Sequence, residues 1–128
     1  MFASDDWPLV IAGVETVFCR GDTQQISYAL IPDGPRVYDV RGLFPDIDPS
    51  WLATVPKRGY AVHYDAAPLA DADKNFNGTT LDESLDRLDI IYRDHVAKGW
   101  NGIGYHRVVD PAGRIFLTGS SGTHRAHA

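Results

Sequence analysis

Between residues 80 and 98, apolar side chains recur with the spacing of an α-helix, so helix formation would collect them on one face. The members of this stripe are Leu81, Leu85, Leu88, Tyr92 and Val96. Thr80 and Glu83 have the spacing of a capping box, in which each side chain accepts a hydrogen bond from the other residue's backbone N–H. Gly99 follows at the position where a left-handed residue commonly ends a helix. The sequence therefore predicts a helix over residues 80–98 with one buried face.

Strand-like segments lie on both sides of this helix. The stretch 60–62 is apolar and ends at His63, which predicts a buried strand. After the helix, residues 103–118 are strand-like around the turn sequence DPAG, which predicts a β-hairpin. The order strand, helix, strand, strand predicts an α/β fold: a mixed β-sheet with flanking helices, in which the His63 strand is central.

The first part of the chain is β-rich. The runs LVIAGVETVF and QQISYALI are separated by the turn-like CRGD, and IPDGPRVYDV adds a further turn and a short strand. A Pro- and Asp-rich stretch, GLFPDIDPS, then has the character of a connector. We therefore predict a small β-rich N-terminal appendage over residues 1–55, of unknown role, and a second unit over residues 56–128.

Composition argues against several classes of function. The formal net charge of −5 and the absence of a basic run argue against nucleic-acid binding, because phosphate contacts need a Lys- and Arg-rich surface. No apolar stretch approaches the ~20 residues that a membrane-spanning helix needs. The N-terminal stretch MFASDDWPLV lacks the features of a signal peptide. The single cysteine, Cys19, cannot form an internal disulfide, and we predict that it is a small buried residue.

Several residues of the second half could carry chemistry. They are His63 at the end of the predicted strand, Tyr105 and His106 in the predicted hairpin, and His124 and His127 in the C-terminal THRAHA. Neutral imidazole is the commonest metal ligand, so this distribution suits a metal site. A His beside an apolar strand is more often a hydrogen-bonded structural residue, and the residues alone leave both interpretations open.

The segments YAVHYDAA, KGWNGIGYHRVVDPAGRIF and THRAHA, with a helix between the first two, resemble the zinc-dependent N-acetylmuramoyl-L-alanine amidases of the type 2 class. This superfamily also contains the amidase-type phage lysozymes and the peptidoglycan recognition proteins. The resemblance covers residues 59–128, and its most specific part is GWNGIGYH followed by the hairpin turn. Asp65 departs from the family pattern, which has Ser or Thr at that position.

The resemblance implies a peptidoglycan amidase that cleaves the bond between N-acetylmuramic acid and L-alanine. It implies that His63 is the first zinc ligand and that Tyr105 is a catalytic residue, which polarises the scissile amide or stabilises its oxyanion. It also implies that His127 lines the substrate groove, with His106 as a structural or groove-flanking partner. A bound zinc ion would activate a water molecule and polarise the amide carbonyl. We therefore expect His63, Tyr105 and His127 to converge on one groove.

The later zinc ligands of that family, a His and then a Cys or Asp, follow the Gly-x-His-Ala segment, which here reaches Ala128. A catalytic zinc site needs about three protein ligands. Three explanations are open: the polypeptide continues beyond this point, the domain is truncated and non-catalytic, or a remodelled site uses His124 or His127. We favour the first, and we expect that residues 1–128 alone do not hold zinc tightly.

Two functions therefore compete, beside a third interpretation, a mixed α/β domain whose His residues are structural, which the register of GWNGIGYH makes the least favoured of the three. The first is a peptidoglycan amidase of the endolysin type that needs sequence beyond residue 128. The second is a non-catalytic peptidoglycan-binding or structural module, such as a component of a phage particle. In either case residues 1–55 could contact other virion proteins. The expected location is a phage virion or the bacterial cell wall to which the protein is delivered.

Overall fold

The computed structural model of the protein describes residues 10–32, 34–47, 62 and 80–119. In chain order the elements are β1 (Ile11–Cys19), β2 (Asp22–Leu30), β3 (Arg36–Asp39), α1 (Leu81–Ala97), β4 (Arg107–Val109) and β5 (Ile115–Leu117). Among these residues, no helix combines the length and the apolar character that crossing a membrane requires.

The five strands form one mixed sheet in the order β1-β2-β3-β5-β4. β3 and β5 are parallel, and the other neighbouring pairs are antiparallel. Arg20 and Gly21 close the β1–β2 hairpin with φ values of 54° and 74°, the two positive angles that a type I′ turn requires. The predicted α/β class with a mixed sheet is confirmed. The described part of the chain contains one helix, so the further flanking helices stay a prediction.

Helix α1 has the predicted position and caps, and the first half of its predicted apolar face is buried. Thr80 is its N-cap: the Thr80 hydroxyl accepts a 3.2 Å hydrogen bond from the backbone N–H of Glu83. In return, Oε1 of Glu83 accepts a 3.3 Å hydrogen bond from the backbone N–H of Thr80. The side chains of Leu81, Leu85 and Leu88 are buried. The local sequence signals therefore predicted the start of the helix and the leucines that it turns toward the sheet. Two other members of the predicted stripe are only partly buried: Tyr92 and Val96.

The helix covers one face of the sheet, where a row of aromatic rings crosses three strands. Tyr28 on β2, Tyr38 on β3 and Phe116 on β5 are successive register partners, with ring centroids 6.0 and 5.7 Å apart. The row packs in the main core together with the apolar side chains of α1 and with Cys19, which is buried as predicted. Side chains that alternate to the other face form a second, smaller cluster of buried residues: Ala29, Val37 and Leu117.

The described strands of residues 1–55 share this sheet and its core with the strands that follow the helix. β3 pairs with β5 over three residues, beginning with Val37 opposite Ile115. Tyr38 and Val37 of β3 are buried on opposite faces of the sheet, each in a cluster that includes a residue of β5. The predicted boundary between residues 55 and 56 lies outside the described residues, as does the strand predicted to end at His63.

The β4–β5 hairpin turns over the predicted DPAG sequence, but its strands are shorter than predicted. The backbone N–H groups of Thr118 and Gly119 both donate to the carbonyl oxygen of His106, at 3.1 Å each. Because two donors share one acceptor, the regular ladder does not extend past this point. Tyr105 and His106 therefore precede the hairpin strands instead of lying within them.

Candidate functional site

The segment from Gly99 to His106 connects helix α1 to β4 and contains the two predicted site residues that the structure describes. Gly99 has a φ of 86°, a left-handed value that lets the chain reverse directly after the helix. The backbone N–H of Trp100 then donates to the carbonyl oxygen of His95 at 3.0 Å. Gly102 is buried farther along. The segment therefore folds back against the last turn of α1.

His95, in that last turn, holds the segment by a side-chain hydrogen bond. Its Nδ1 accepts the backbone N–H of Gly104 at 2.9 Å, and its side chain is almost completely buried. Because a backbone N–H can only donate, Nδ1 must be the unprotonated nitrogen of the ring. The centroid of the His95 ring lies 4.4 Å from that of Trp100 and 5.5 Å, edge-on, from that of Tyr105. Three aromatic side chains thus pack together at the C-terminal end of the helix.

Tyr105, the predicted catalytic residue, is held at its ring and at its backbone. Its half-buried ring packs against the main core and meets the edge of His95. Its carbonyl oxygen accepts a 2.6 Å hydrogen bond from the hydroxyl of Thr118, just after β5. These contacts come from the helix and from the hairpin, so the position of Tyr105 depends on both elements.

Two of the four predicted site residues can be located. Tyr105 and His106 are adjacent in the connecting segment, and His106 is half-buried. His63 and His127 lie outside the described residues. The convergence of His63, Tyr105 and His127 on one groove therefore stays a prediction, as do the assigned roles of all four.

Sequence reasoning missed His95. Its signal was present, because His95 follows Leu88 by seven residues and Ile91 by four, spacings that place all three on the same side of a helix. A polar residue at such a position needs an internal partner. The partner is a backbone N–H of the segment after the helix, which no local sequence pattern identifies.

The described residues do not by themselves fit a zinc ion. Among residues 10–32, 34–47, 62 and 80–119, no group of three or more His, Cys, Asp or Glu side chains could hold a metal. The predicted ligand His63 lies outside those ranges.

A second polar cluster lies on the sheet, and its members form hydrogen bonds with one another. Oε2 of Glu15 accepts hydrogen bonds from the hydroxyl of Tyr38 and from Nη1 of Arg36, both at 2.9 Å. The Arg36 guanidinium also stacks 4.2 Å from the centroid of the Tyr28 ring. The pKa of Tyr38 is raised, mainly by burial and also by the hydrogen bond with Glu15. The cluster joins β1 to β3, which are not neighbours in the sheet, and we assign it a structural role.

Comparisons of this chain with protein-family models, with curated proteins and with solved structures found no match.

Proposed function

We propose that this chain is part of a peptidoglycan amidase that hydrolyses the bond between N-acetylmuramic acid and L-alanine. The sequence resemblance over residues 59–128 motivates the proposal. The observation that supports it best is the double anchoring of Tyr105, by the His95 ring and by the Thr118 hydroxyl. A phenol that must meet a developing charge has to be held in place before the reaction, because a preorganised donor needs no reorganisation during it.

In this proposal the hydroxyl of Tyr105 donates a hydrogen bond to the carbonyl oxygen of the scissile amide as negative charge develops there. Removing one such donor from an oxyanion site typically lowers kcat by about 100- to 1,000-fold. In the family that the sequence resembles, zinc supplies the activated water, and His63 stands at the position of its first ligand. The substrate would be the bacterial cell wall, reached from a phage particle or after delivery.

The alternative is a non-catalytic peptidoglycan-binding or structural module. One observation favours it: β1 is an edge strand of the described sheet, and the side chains of Val14 and Phe18 on it are 57% and 53% exposed. An exposed apolar edge strand suits attachment to another protein. In this alternative, residues 1–55 contact other virion proteins and the groove holds muropeptide without cleaving it.

The deciding experiment incubates purified peptidoglycan with the protein expressed from its natural reading frame, including any residues that follow Ala128. New N-terminal alanine is measured by dinitrophenylation. We expect zinc-dependent release that Tyr105→Phe lowers by about 100-fold or more. Tyr92→Phe is the matched control, since the Tyr92 hydroxyl donates to the carbonyl oxygen of Pro45 (2.6 Å), outside the connecting segment.

Each outcome separates the two functions. Cosedimentation with peptidoglycan but no release of alanine would favour the binding module. Equal activities of the two Tyr→Phe variants would remove Tyr105 from the proposed mechanism. Metal analysis of the 128-residue form accompanies the assay, and stoichiometric zinc in that form would show that the ligand set implied by the resemblance is wrong.

A further inference from the structure

We propose that His95 is a positioning residue that sets the orientation of Tyr105 by holding the backbone of Gly104. The inference deepens the proposed function, and its consequence for catalysis rests on that function. The structural part of the inference, that one imidazole nitrogen fixes the connecting segment, can be tested without any activity.

The first step of the argument is the burial of both hydrogen-bonding partners. The side chain of His95 is 2% exposed, and Gly104 is also buried. A buried backbone N–H that loses its acceptor cannot turn to water, so its desolvation is not compensated. The Nδ1 of His95 is the acceptor that the Gly104 N–H finds, at 2.9 Å.

The second step is the position of Gly104 in the chain. It directly precedes Tyr105, whose carbonyl oxygen is bound by the Thr118 hydroxyl at 2.6 Å. The backbone of Tyr105 is therefore fixed on its N-terminal side from the helix and on its C-terminal side from the hairpin. The edge-on contact between the rings of His95 and Tyr105 adds a third restraint, on the side chain itself.

The third step distinguishes positioning from core filling. The neighbouring inward positions of α1 are occupied by apolar side chains, Leu88 and Ile91, which are fully buried. An apolar residue at position 95 could fill the same volume beside Trp100. It could not accept the N–H of Gly104. The chemistry specific to an imidazole at this position is thus the acceptor nitrogen.

The test uses two variants that differ in this nitrogen. His95→Asn keeps an acceptor close to the position of Nδ1, whereas His95→Leu keeps apolar volume and removes the acceptor. Leu85→Ala is the control, since Leu85 is buried in the same helix about 15 Å away along its axis. Amide hydrogen exchange reports on Gly104, and ¹⁹F NMR of 3-fluorotyrosine reports on Tyr105, with its signal assigned from Tyr105→Phe.

We expect His95→Leu to accelerate exchange of the Gly104 amide by about tenfold more than Leu85→Ala does, when rates are compared at equal global stability. We also expect it to shift or broaden the Tyr105 signal, and His95→Asn to restore both readouts. If all three variants change Gly104 and Tyr105 alike, His95 acts only through stability and the proposal is overturned.

The wild-type protein offers a measurement that needs no variant, should His95→Leu fail to fold. A through-bond ¹⁵N–¹⁵N coupling between the Gly104 amide and Nδ1 of His95 is expected, and its absence would overturn the proposal. In the amidase assay, His95→Leu should lower kcat and leave KM unchanged. If the wild type releases no alanine while the coupling is present, the proposed function fails and the positioning role of His95 stands.

Discussion

The hydroxyl of Ser84, near the start of helix α1, donates a 2.6 Å hydrogen bond to Oδ2 of Asp110 at the turn of the β4–β5 hairpin. The Asp110 carboxylate also accepts the backbone N–H of Arg114 at 2.8 Å and its Nη1 at 3.0 Å. The Asp110 side chain has no exposed surface. One buried carboxylate therefore connects the helix to the hairpin that follows the candidate site.

Removing this carboxylate should destabilise the fold strongly. We expect Asp110→Ala to lower the free energy of unfolding by about 2–3 kcal/mol, because the buried Ser84 hydroxyl loses its acceptor and Arg114 loses its ion pair. Ser84→Ala should cost about 1–2 kcal/mol. Urea unfolding of the single and double variants measures both values and their coupling.

The double variant is the sharper test, since two residues that share one bond should not act additively. The double variant should lose less free energy of unfolding than the two single variants lose together. Asp22→Ala, at an exposed position where β2 begins, serves as the control and should stay within about 0.5 kcal/mol of wild type. Additive losses for Ser84 and Asp110 would contradict the bond between them.

Local signals were sufficient to predict helix α1, the turn at CRGD and the DPAG turn, because their determinants are close together in sequence. Thr80 and Glu83 form the predicted capping box. The DPAG turn was also predicted, but the burial of Asp110 against Ser84 was not, since it depends on the helix that lies across the turn. A turn signal specifies the backbone and leaves the side-chain partner open.

Long-range pairing could not be predicted. The parallel contact between β3 and β5 joins strands on opposite sides of the helix in sequence, and the apolar pattern of β3 does not encode its neighbour. For the candidate site, the sequence singled out Tyr105 and His106 but not His95, whose partner is a backbone group. Side-chain patterns report which residues are buried more reliably than which atoms meet.

The ion pair between Asp39 and Arg41 should make stability depend on pH. Nε and Nη2 of Arg41 donate to the two carboxylate oxygens of Asp39 at 2.9 and 2.8 Å, and the Arg41 backbone N–H adds a 3.1 Å bond. Burial is the largest single influence on the pKa of Asp39 and raises it. The hydrogen bonds and charge of Arg41 together outweigh burial and hold the pKa below its usual value of 3.8.

A carboxyl whose pKa is lower in the folded state contributes stability above its unfolded pKa and loses it as the pH falls through the folded pKa. The free energy of unfolding of wild type should therefore exceed that of Asp39→Asn by about 1 kcal/mol near neutral pH. This difference should shrink below pH 3.8. Urea unfolding of both proteins between about pH 5 and about pH 2 measures it. A difference that stays constant over this range would exclude the ion pair as its source.

Asp82 should protect the edge of the sheet. Its Oδ1 accepts the backbone N–H of Phe18, which lies on the outer strand β1, at 3.1 Å. Asp82→Ala should lower the free energy of unfolding by about 1 kcal/mol and speed exchange of the Phe18 amide. Because β1 also exposes Val14, the variant should aggregate faster, as light scattering would show.

The matched variant for this prediction is Asp82→Asn, which keeps an oxygen acceptor at the same position and removes the charge. It should retain the slow exchange of the Phe18 amide. It should lose only the interaction of a negative charge with the start of helix α1, worth about 0.3–1 kcal/mol. If the Phe18 amide exchanges equally fast in both Asp82 variants, and faster than in wild type, the charge of Asp82 and not its hydrogen bond protects this amide.

Cys19 is a natural probe of global opening, because it is the single cysteine and its side chain is fully buried. The pKa of the Cys19 thiol is raised, and burial is the main cause. The positive charge of Arg20 lowers this pKa, whereas nearby carboxylates such as Asp89 raise it further. The thiol should therefore react with a disulfide reagent on the order of 1,000-fold more slowly in the native state than in urea. Stopped-flow or manual absorbance measurements at several pH values give both rates.

The same shift has a consequence at alkaline pH. A thiol whose pKa is raised by folding ionises first in the unfolded chain, so stability should fall as the pH rises above the ordinary thiol value of 9.0. Cys19→Ala removes this contribution, so its stability should depend less on pH in this range.

Thr16→Cys in the Cys19→Ala background is the control for the reactivity measurement. It places a thiol at an exposed position of the same strand and should react at nearly the unfolded rate. If the native Cys19 thiol reacts as fast as that exposed thiol, strand β1 does not pack against the core as the structure describes, because a buried thiol can be attacked only after the sheet opens.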